Sequence, residues 1–198
     1  SPLSVYNLGI VDHAHVYDDG RVTEHMHCHV YQEGVGKKGA TYMASIIVKT
    51  LRALNLLCEE EVGGELNIVF DNCSGQNKNN TVLKLVAWLM AMGYFKSVQF
   101  IFLVVGHTKK HEYRKQNLFT FDELVRALDQ SATVTVHRTV ANDFFDYNKL
   151  LDGMYRKLVG HIKQNHIFSC EDDGSEMTIR KSNLAEHEEY IIRIRKKN

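Results

Sequence analysis

The stretch FDNCSGQNKNNT, residues Phe70 to Thr81, joins an apolar run to a helical pattern through a polar turn. The run Leu66 to Phe70 before it is short and continuously apolar apart from one asparagine, which is typical of a buried strand. Thr81 to Met92 after it has apolar residues at helical spacing and stops near Gly93. The stretch therefore predicts a strand, a tight loop and a helix, as in α/β proteins.

The first residue of that loop, Asp71, is predicted to lie at the carboxyl end of its strand. Loops of α/β folds diverge there and leave a crevice for ligands. A carboxylate in this position could bind Mg²⁺, a hard cation that takes one or two carboxylates together with phosphate oxygens of a substrate. Equally, Asp71 and Asn72 could shape the turn while an asparagine caps the following helix. Both interpretations fit the motif alone.

Further strands and helices are predicted on both sides of this unit. Strands are predicted at Val5 to Val11, Val22 to Tyr31, Val98 to Val105 and Thr133 to His137, and helices from Met43 to about Leu57, at Phe121 to Leu128 and at Tyr147 to Leu158. A last hairpin pairs His166 to Cys170 with Met177 to Lys181. We expect an α/β fold with a mixed-sheet core over residues 1–132. Residues 133–198 are expected to form an extension with a small helix-plus-hairpin appendage.

The composition is that of a folded domain without a strong charge bias. Hydrophobic residues make up 44% of the 198 residues and charged residues 24%, which argues against disorder and against a membrane span. Lys plus Arg equals Asp plus Glu at 24 each, so bulk charge does not indicate nucleic acid. The four cysteines form no C-x-x-C pair, which predicts a reducing, intracellular environment. Because the chain opens on Ser1-Pro2, we expect a processed product or a fragment.

A second notable stretch, LVVGHTKKHEYRKQ at Leu103 to Gln116, follows the next buried strand. His107 would emerge beside Asp71 if the two strands are neighbours, and it could polarise a phosphate or orient water. A turn histidine with a satisfied hydrogen bond explains it equally well. The basic side chains after it form either a solvated face or a contact to nucleic-acid phosphates. These side chains are Lys109, Lys110, Arg114 and Lys115.

Three motifs carry a family resemblance. They are D-N-C-S-G-Q-N-K-N at Asp71 to Asn79, G-H-T-K at Gly106 to Lys109 and G-K-K-G at Gly36 to Gly39. They resemble the transposon-derived domain of unknown function, family seventy-eight sixty-nine, which is related to the ribonuclease H and integrase superfamily. The resemblance implies a mixed five-stranded sheet and three carboxylates that bind two Mg²⁺ or Mn²⁺ ions about 4 Å apart for phosphodiester chemistry. It also implies DNA as a partner. We expect an intracellular or nuclear location, no small-molecule substrate and no membrane contact.

Residue by residue, the resemblance predicts an incomplete catalytic set. Asp71 matches the second acid, whereas relatives carry Asn-x-x-Asp-Arg after G-H-T-K and this chain has only Glu112 nearby. Asp12 would be the first acid if Val5 to Asp12 is the central first strand, parallel to Leu66 to Phe70. The segment could instead be the second, antiparallel strand, which is the arrangement that the relatives resemble. In that case the first strand is missing. The predicted catalytic residues are Asp71, Asp12, His107 and Glu112, with Asp71 and Asp12 as metal ligands.

These observations predict a catalytically impaired remnant of a metal-dependent nuclease or transposase. One alternative is a non-enzymatic nucleic-acid-binding module that uses the basic clusters at Lys109 to Lys115 and Arg193 to Lys197. Another is a zinc or copper site, because His25, His27 and His29 project from one face of a strand, with His13 and His15 on its predicted partner. The competing interpretation places these histidines on the wet face of an antiparallel pair.

Overall fold

The computed structural model of the protein describes residues 4–57, 63–73, 75–103, 120–160, 162–181 and 189–197. The strands in these ranges are β1 (Val5–Val16), β2 (Val22–Gln32), β3 (Gly63–Phe70), β4 (Phe95–Phe102), β5 (Val134–Arg138), β6 (Ile167–Glu171), β7 (Glu176–Arg180) and β8 (Glu189–Arg193). The α-helices are α1 (Ala40–Ala53), α2 (Asn80–Ala91), α3 (Phe121–Asp129) and α4 (Tyr147–Met154). None of these helices is long and apolar enough to cross a membrane.

The chain divides into two compact units, each built from two separate stretches of sequence. Unit 1 comprises residues 1–38 and 111–144, and unit 2 comprises residues 39–110 and 145–198. The boundary expected between residues 132 and 133 stays a prediction. Strands from the two sides of that position do pair, however. β5 and β6 follow it in sequence, and they pair with β2 and β4, which precede it.

Unit 1 is a three-stranded sheet in the order β1-β2-β5. β1 and β2 pair antiparallel across the turn at residues 18–20, and β2 and β5 pair in parallel. Helix α3 covers one face of this sheet, where Cys28, Val30 and Val125 form a buried apolar cluster. Thr120 begins the helix with a capping box. Its hydroxyl accepts a hydrogen bond from Glu123 N, and the Glu123 carboxylate accepts one from Thr120 N. The opposite face of β2 carries its histidines.

Unit 2 is a five-stranded sheet in the order β3-β4-β6-β7-β8. Only β3 and β4 are parallel, and each later pair is antiparallel. Helix α2 packs against β4 and β6, and the phenylalanines Phe100, Phe102 and Phe168 are fully buried in this sheet. The protein is therefore an α/β protein with mixed sheets, as expected.

Two expectations about these strands are wrong. The hairpin of β6 and β7 is no appendage, because β6 pairs with β4 in the interior of the five-stranded sheet. Leu66 to Phe70 is not buried on both faces, since Val69 is 56% exposed. One face of β3 is exposed at residues 65, 67 and 69, whereas Phe70 on the other face is buried, and β3 is the outermost of the described strands of its sheet. An apolar run cannot reveal from composition alone whether both faces are covered.

A glycine permits the close approach of α2 to the turn between β6 and β7. Gly174 has a φ of 66°, in the left-handed region that favours glycine. A Cβ atom at this position would lie 2.3 Å from the carbonyl oxygen of Ala87 in α2. Both the backbone conformation and the packing of α2 thus require glycine at position 174.

The amino-terminal half of α2 anchors the segment that contains and follows α4. The Lys84 ammonium pairs with the Asp152 carboxylate, and the Thr81 hydroxyl bonds to Asn148. The chain then turns at Tyr155, whose backbone forms an isolated antiparallel β-bridge with that of Arg195. Helix α4 therefore ends at Met154, earlier than the predicted Leu158. Further bonds run from Leu158 N to Asn80 Oδ1 at 2.7 Å and from Lys78 Nζ to the carbonyl oxygen of Lys163 at 3.2 Å.

Asn79 is the N-cap of α2. Its Oδ1 accepts from Val82 N at 3.1 Å, and its Nδ2 donates to the Gln76 carbonyl at 2.9 Å. We expect Asn79→Ala to lower the free energy of unfolding by about 1 kcal/mol, because it exposes an unpaired helix N–H. Denaturant unfolding followed by the fluorescence of Trp88 measures this loss. Asn67→Ala, on the exposed face of β3, is the control, and an equal loss in both variants would contradict a capping role.

Candidate functional site

The strand end that carries Asp71 is fixed by aromatic packing. The Phe70 ring lies 5.1 Å from the Phe100 ring and 5.2 Å from the Phe102 ring, measured between centroids. Leu103 N donates to the Phe70 carbonyl at 2.9 Å, so β3 and β4 end level with each other. Asp71 follows immediately and is exposed at the carboxyl edge of this parallel pair.

The loop after Asp71 folds back on itself before α2 begins. The Cys73 carbonyl accepts from the backbone N–H groups of Gln76, Asn77 and Lys78, at 3.2, 2.8 and 3.1 Å. This turn brings Asn77 to Asp71, where the amide Nδ2 donates to the carboxylate Oδ1. The loop is therefore held at its base by the Cys73 carbonyl and at its end by the Asn79 cap.

Two buried polar residues of this loop were not singled out by the sequence. Asn77 is 7% exposed, and its Oδ1 has no hydrogen-bond partner among the described residues. Lys78 is 4% exposed, and its ammonium lies 5.9 Å above the Phe102 ring while donating to the Lys163 carbonyl. Burial lowers the pKa of Lys78. The signal that could have found both residues is their place inside the N-K-N part of the motif.

Asp12 is on β1, directly opposite His25 of β2. Its Oδ1 accepts from Ala14 N at 3.0 Å, and its Oδ2 lies 3.5 Å from His15 Nδ1. β1 pairs antiparallel with β2, whereas β3 belongs to the five-stranded sheet, so the parallel pairing of Val5 to Asp12 with β3 is absent from the described strands. The catalytic role of Asp12 stays a prediction.

The other predicted site residues lie outside the described part of the chain. They are His107, Glu112, Lys109, Lys110, Arg114 and Lys115. Within the described ranges, no group of three or more histidine, cysteine, aspartate or glutamate residues is arranged to hold a metal ion. Asp71 is thus not part of such a group within these ranges.

The histidines of β2 form a buried row, so the wet-face interpretation is wrong. His25, His27 and His29 are 6%, 5% and 0% exposed. His15 of β1 stacks on His25 at 4.4 Å, and His137 of β5 stacks on His29 at 4.5 Å, both measured between ring centroids. His27 Nδ1 and His137 Nε2 share a hydrogen bond of 3.0 Å. His13, by contrast, points to solvent and pairs with the exposed Glu24.

Hydrogen bonds to hydroxyl groups and between rings hold the row together. His25 is bonded by the Tyr17 hydroxyl and the Thr135 hydroxyl, each at 2.8 Å. Burial is the largest cause that lowers the pKa of His27 to about 4, followed by the charges that His137 and His25 would carry. Burial and His15 lower the pKa of His25 in the same direction. His137 was missed because only the parallel pairing of β5 with β2 shows that it joins the row.

An exposed strand-end aspartate, a polar loop tied back to it and a capped helix define an α/β protein with a polar site at the carboxyl edge of a parallel strand pair. The chain belongs to the family described as Domain of unknown function (DUF7869), whose sequence profile matches residues 3–186. This confirms the family expected from the D-N-C-S-G-Q-N-K-N and G-H-T-K motifs. Comparison with curated proteins and comparison with solved structures give no match.

Proposed function

We propose that this chain is a transposon-derived, ribonuclease H-like domain in which metal-dependent phosphodiester cleavage is impaired. The observation that carries the proposal is the position of Asp71. It is exposed at the carboxyl end of β3 beside the parallel strand β4, and within the described ranges it belongs to no group of three or more histidine, cysteine, aspartate or glutamate residues that could hold a metal ion.

The resemblance implies two divalent cations, which would activate water or a 3′-hydroxyl and stabilise the leaving oxygen. Such a pair requires several carboxylates that converge on one place. Asp71 supplies one of them, but β3 is the outermost of the described strands in its sheet, where the resemblance implies a neighbouring first strand with the first acid. The described residues therefore do not fit a two-cation site, and we derive no cleavage step through it.

A second candidate function is binding of a nucleic-acid backbone without cleavage. The observation that favours it is a row of exposed basic side chains at the end of unit 2, Arg193, Arg195, Lys196 and Lys197. Such side chains contact phosphates without reading sequence. The affinity should fall steeply as salt concentration rises, because counterions are released on binding.

A cleavage assay tests the proposed function. End-labelled single-stranded, double-stranded and hybrid substrates are incubated with Mg²⁺ or Mn²⁺ and wild-type protein, Asp71→Asn or Glu65→Gln. Glu65 is the matched control, because it is also an exposed carboxylate on β3. We expect any cleavage by the wild type to equal that of Asp71→Asn. Cleavage that Asp71→Asn loses and Glu65→Gln retains would overturn the proposal.

Binding is measured on the same substrates. If the chain is a binding module, Asp71→Asn should bind as tightly as the wild type, with chelator present, and affinity should drop about tenfold or more between 50 and 200 mM salt. Absence of binding even at 50 mM salt would reject the module while leaving the impaired-enzyme proposal in place.

A further inference from the structure

Strand β8 is the outermost described strand at one end of the five-stranded sheet. It pairs with β7 along one edge, and within the described residues no strand pairs with its other edge over Glu189–Arg193. Beyond Arg193 both edges are in use, because Ile194 N donates to the Ser175 carbonyl at 2.9 Å and Ile194 O accepts from Arg156 N at 2.7 Å. A stretch of five residues is thus left whose outward backbone groups meet no described strand.

The exposed face of this free edge carries an isoleucine between two opposite charges. Side chains alternate along a strand, so Glu189, Ile191 and Arg193 lie on one face of β8. All three are exposed, and the large apolar side chain of Ile191 is 62% exposed. Natural edge strands often carry lysine, proline or a bulge that prevents pairing, and β8 has none of these.

The two charges are placed symmetrically about Ile191. If two β8 strands pair antiparallel about a two-fold axis at Ile191, Glu189 of each copy lies opposite Arg193 of the other. The two isoleucines then face each other between the charge pairs. Cross-strand pairs of this kind each stabilise a sheet by about 0.2 to 1 kcal/mol, whereas in-register parallel pairing would set like charges opposite each other.

β8 already makes the same kind of contact along its inner edge. Its register with β7 places Glu189 opposite Arg180 and Arg193 opposite Glu176. The Glu189 Oε2 atom lies 3.5 Å from Arg180 Nε, yet the Glu189 side chain stays 49% exposed. Glu189 is therefore accessible to a second arginine from the outer edge.

The opposite end of the sheet lacks this complementarity. β3 is also outermost among the described strands, and its exposed face carries Glu65, Asn67 and Val69. A two-fold pairing about Asn67 would set Glu65 against Val69, a charge against an apolar side chain. Of these two edges, β8 alone is complementary to itself.

We propose that β8 is the interface of a homodimer, in which two copies of this chain pair their β8 strands antiparallel about a two-fold axis at Ile191. The five-stranded sheets of the two copies then continue as one sheet. Each copy contributes a strand of five residues, so the contact is small and the dimer is weak and reversible. The inference goes beyond the proposed function and does not rest on it.

Analytical ultracentrifugation of the full chain over a range of concentrations tests the dimer. We expect the mass of the wild type to rise reversibly from 22.7 kDa toward twice that value as the concentration increases. Ile191→Lys should weaken the association by about tenfold or more, because it sets two ammonium groups opposite each other. Val69→Lys is the matched control and should associate like the wild type, since Val69 is an exposed apolar residue on the other outermost strand.

Two charge reversals give a test that does not depend on the stability of either variant. Glu189→Arg sets arginine against arginine across the two-fold axis, and Arg193→Glu sets glutamate against glutamate, so each variant alone should associate about tenfold more weakly or worse. In an equimolar mixture every reversed charge meets an opposite one, and association should return. The pairs lost with β7 are the same before and after mixing, so only a contact between copies explains the recovery.

Far-ultraviolet circular dichroism and the fluorescence of Trp88 show whether each variant is folded. The inference is overturned by a wild type that stays at 22.7 kDa up to millimolar concentration, by a dimer that Ile191→Lys leaves intact, or by a dimer that Val69→Lys dissociates as strongly. A mixture of the two charge-reversal variants that associates no better than either alone also overturns it. Association that continues beyond two copies contradicts the closed two-fold pairing.

Discussion

Replacement of Asp152 by alanine is expected to lower the free energy of unfolding by about 3 kcal/mol. The Lys84 side chain that Asp152 neutralises is only 1% exposed, whereas the Asp152 side chain is 53% exposed. Alanine would leave a buried ammonium without its carboxylate, which is among the most costly single changes a folded protein can suffer. Lys84 lowers the pKa of Asp152 through their hydrogen bond, as expected of a tight ion pair.

The two partners of this pair should respond differently to removal. Lys84→Met removes the buried charge and fills the same space, so it should cost less than Asp152→Ala, and the double variant should resemble Lys84→Met. The fluorescence of Trp88, which packs against Tyr147 of α4 at 5.8 Å, reports unfolding of this interface. Alanine at 152 also suits a helix and keeps the backbone carbonyl that accepts from Lys196 Nζ. Equal losses in both single variants would contradict the argument.

Acidification is expected to destabilise the protein through the buried histidine row. The folded pKa of His27 is lowered to about 4 from an ordinary value of 6.5, so the unfolded chain binds a proton more readily between these values. The contribution is fully present above pH 6.5 and is lost as the pH falls toward 4. One group with this shift accounts for about 2 kcal/mol lost at pH 5 and about 3 kcal/mol at pH 4.

Denaturant unfolding at a series of pH values measures this loss. His27→Gln should have a flatter dependence between pH 6.5 and 4, because the group whose folded pKa is lowered to about 4 is gone. His13→Gln is the matched control, since His13 is a β1 histidine whose side chain is 75% exposed. If His27→Gln and the wild type lose stability in parallel on acidification, the row is not the source of the acid sensitivity.

Most secondary structure near the site followed from sequence because local patterns determine it. The loop between Phe70 and Thr81 was located from its polar run, and the structure places a capping asparagine at Asn79. The alternation of β2 correctly placed its three histidines on one face. Burial of that face could not be deduced, because alternation in a strand shows which residues share a face and not what covers it.

Tertiary pairing was the part that sequence did not reveal. The hairpin of β6 and β7 has its own turn signal, so nothing local shows that β6 inserts beside β4. The contacts of Asn77 and Lys78 likewise depend on how the loop folds back to Cys73 and on the distant Lys163. The bond from Lys78 to Lys163 joins residues 85 positions apart, and neither it nor the turn at Cys73 leaves a periodic pattern.

The parallel pairing of β2 with β5 has a consequence for how the protein is made. His27 and His137 are 110 residues apart in the chain, so β2 leaves the ribosome long before its partner exists. At roughly 5 to 20 residues per second, the delay is several seconds to about 20 s. During that time the apolar side of β2, with Met26, Cys28 and Val30, has neither β5 nor α3 to cover it. The sheet of unit 1 therefore cannot be completed until β5, which ends at Arg138, has been synthesised.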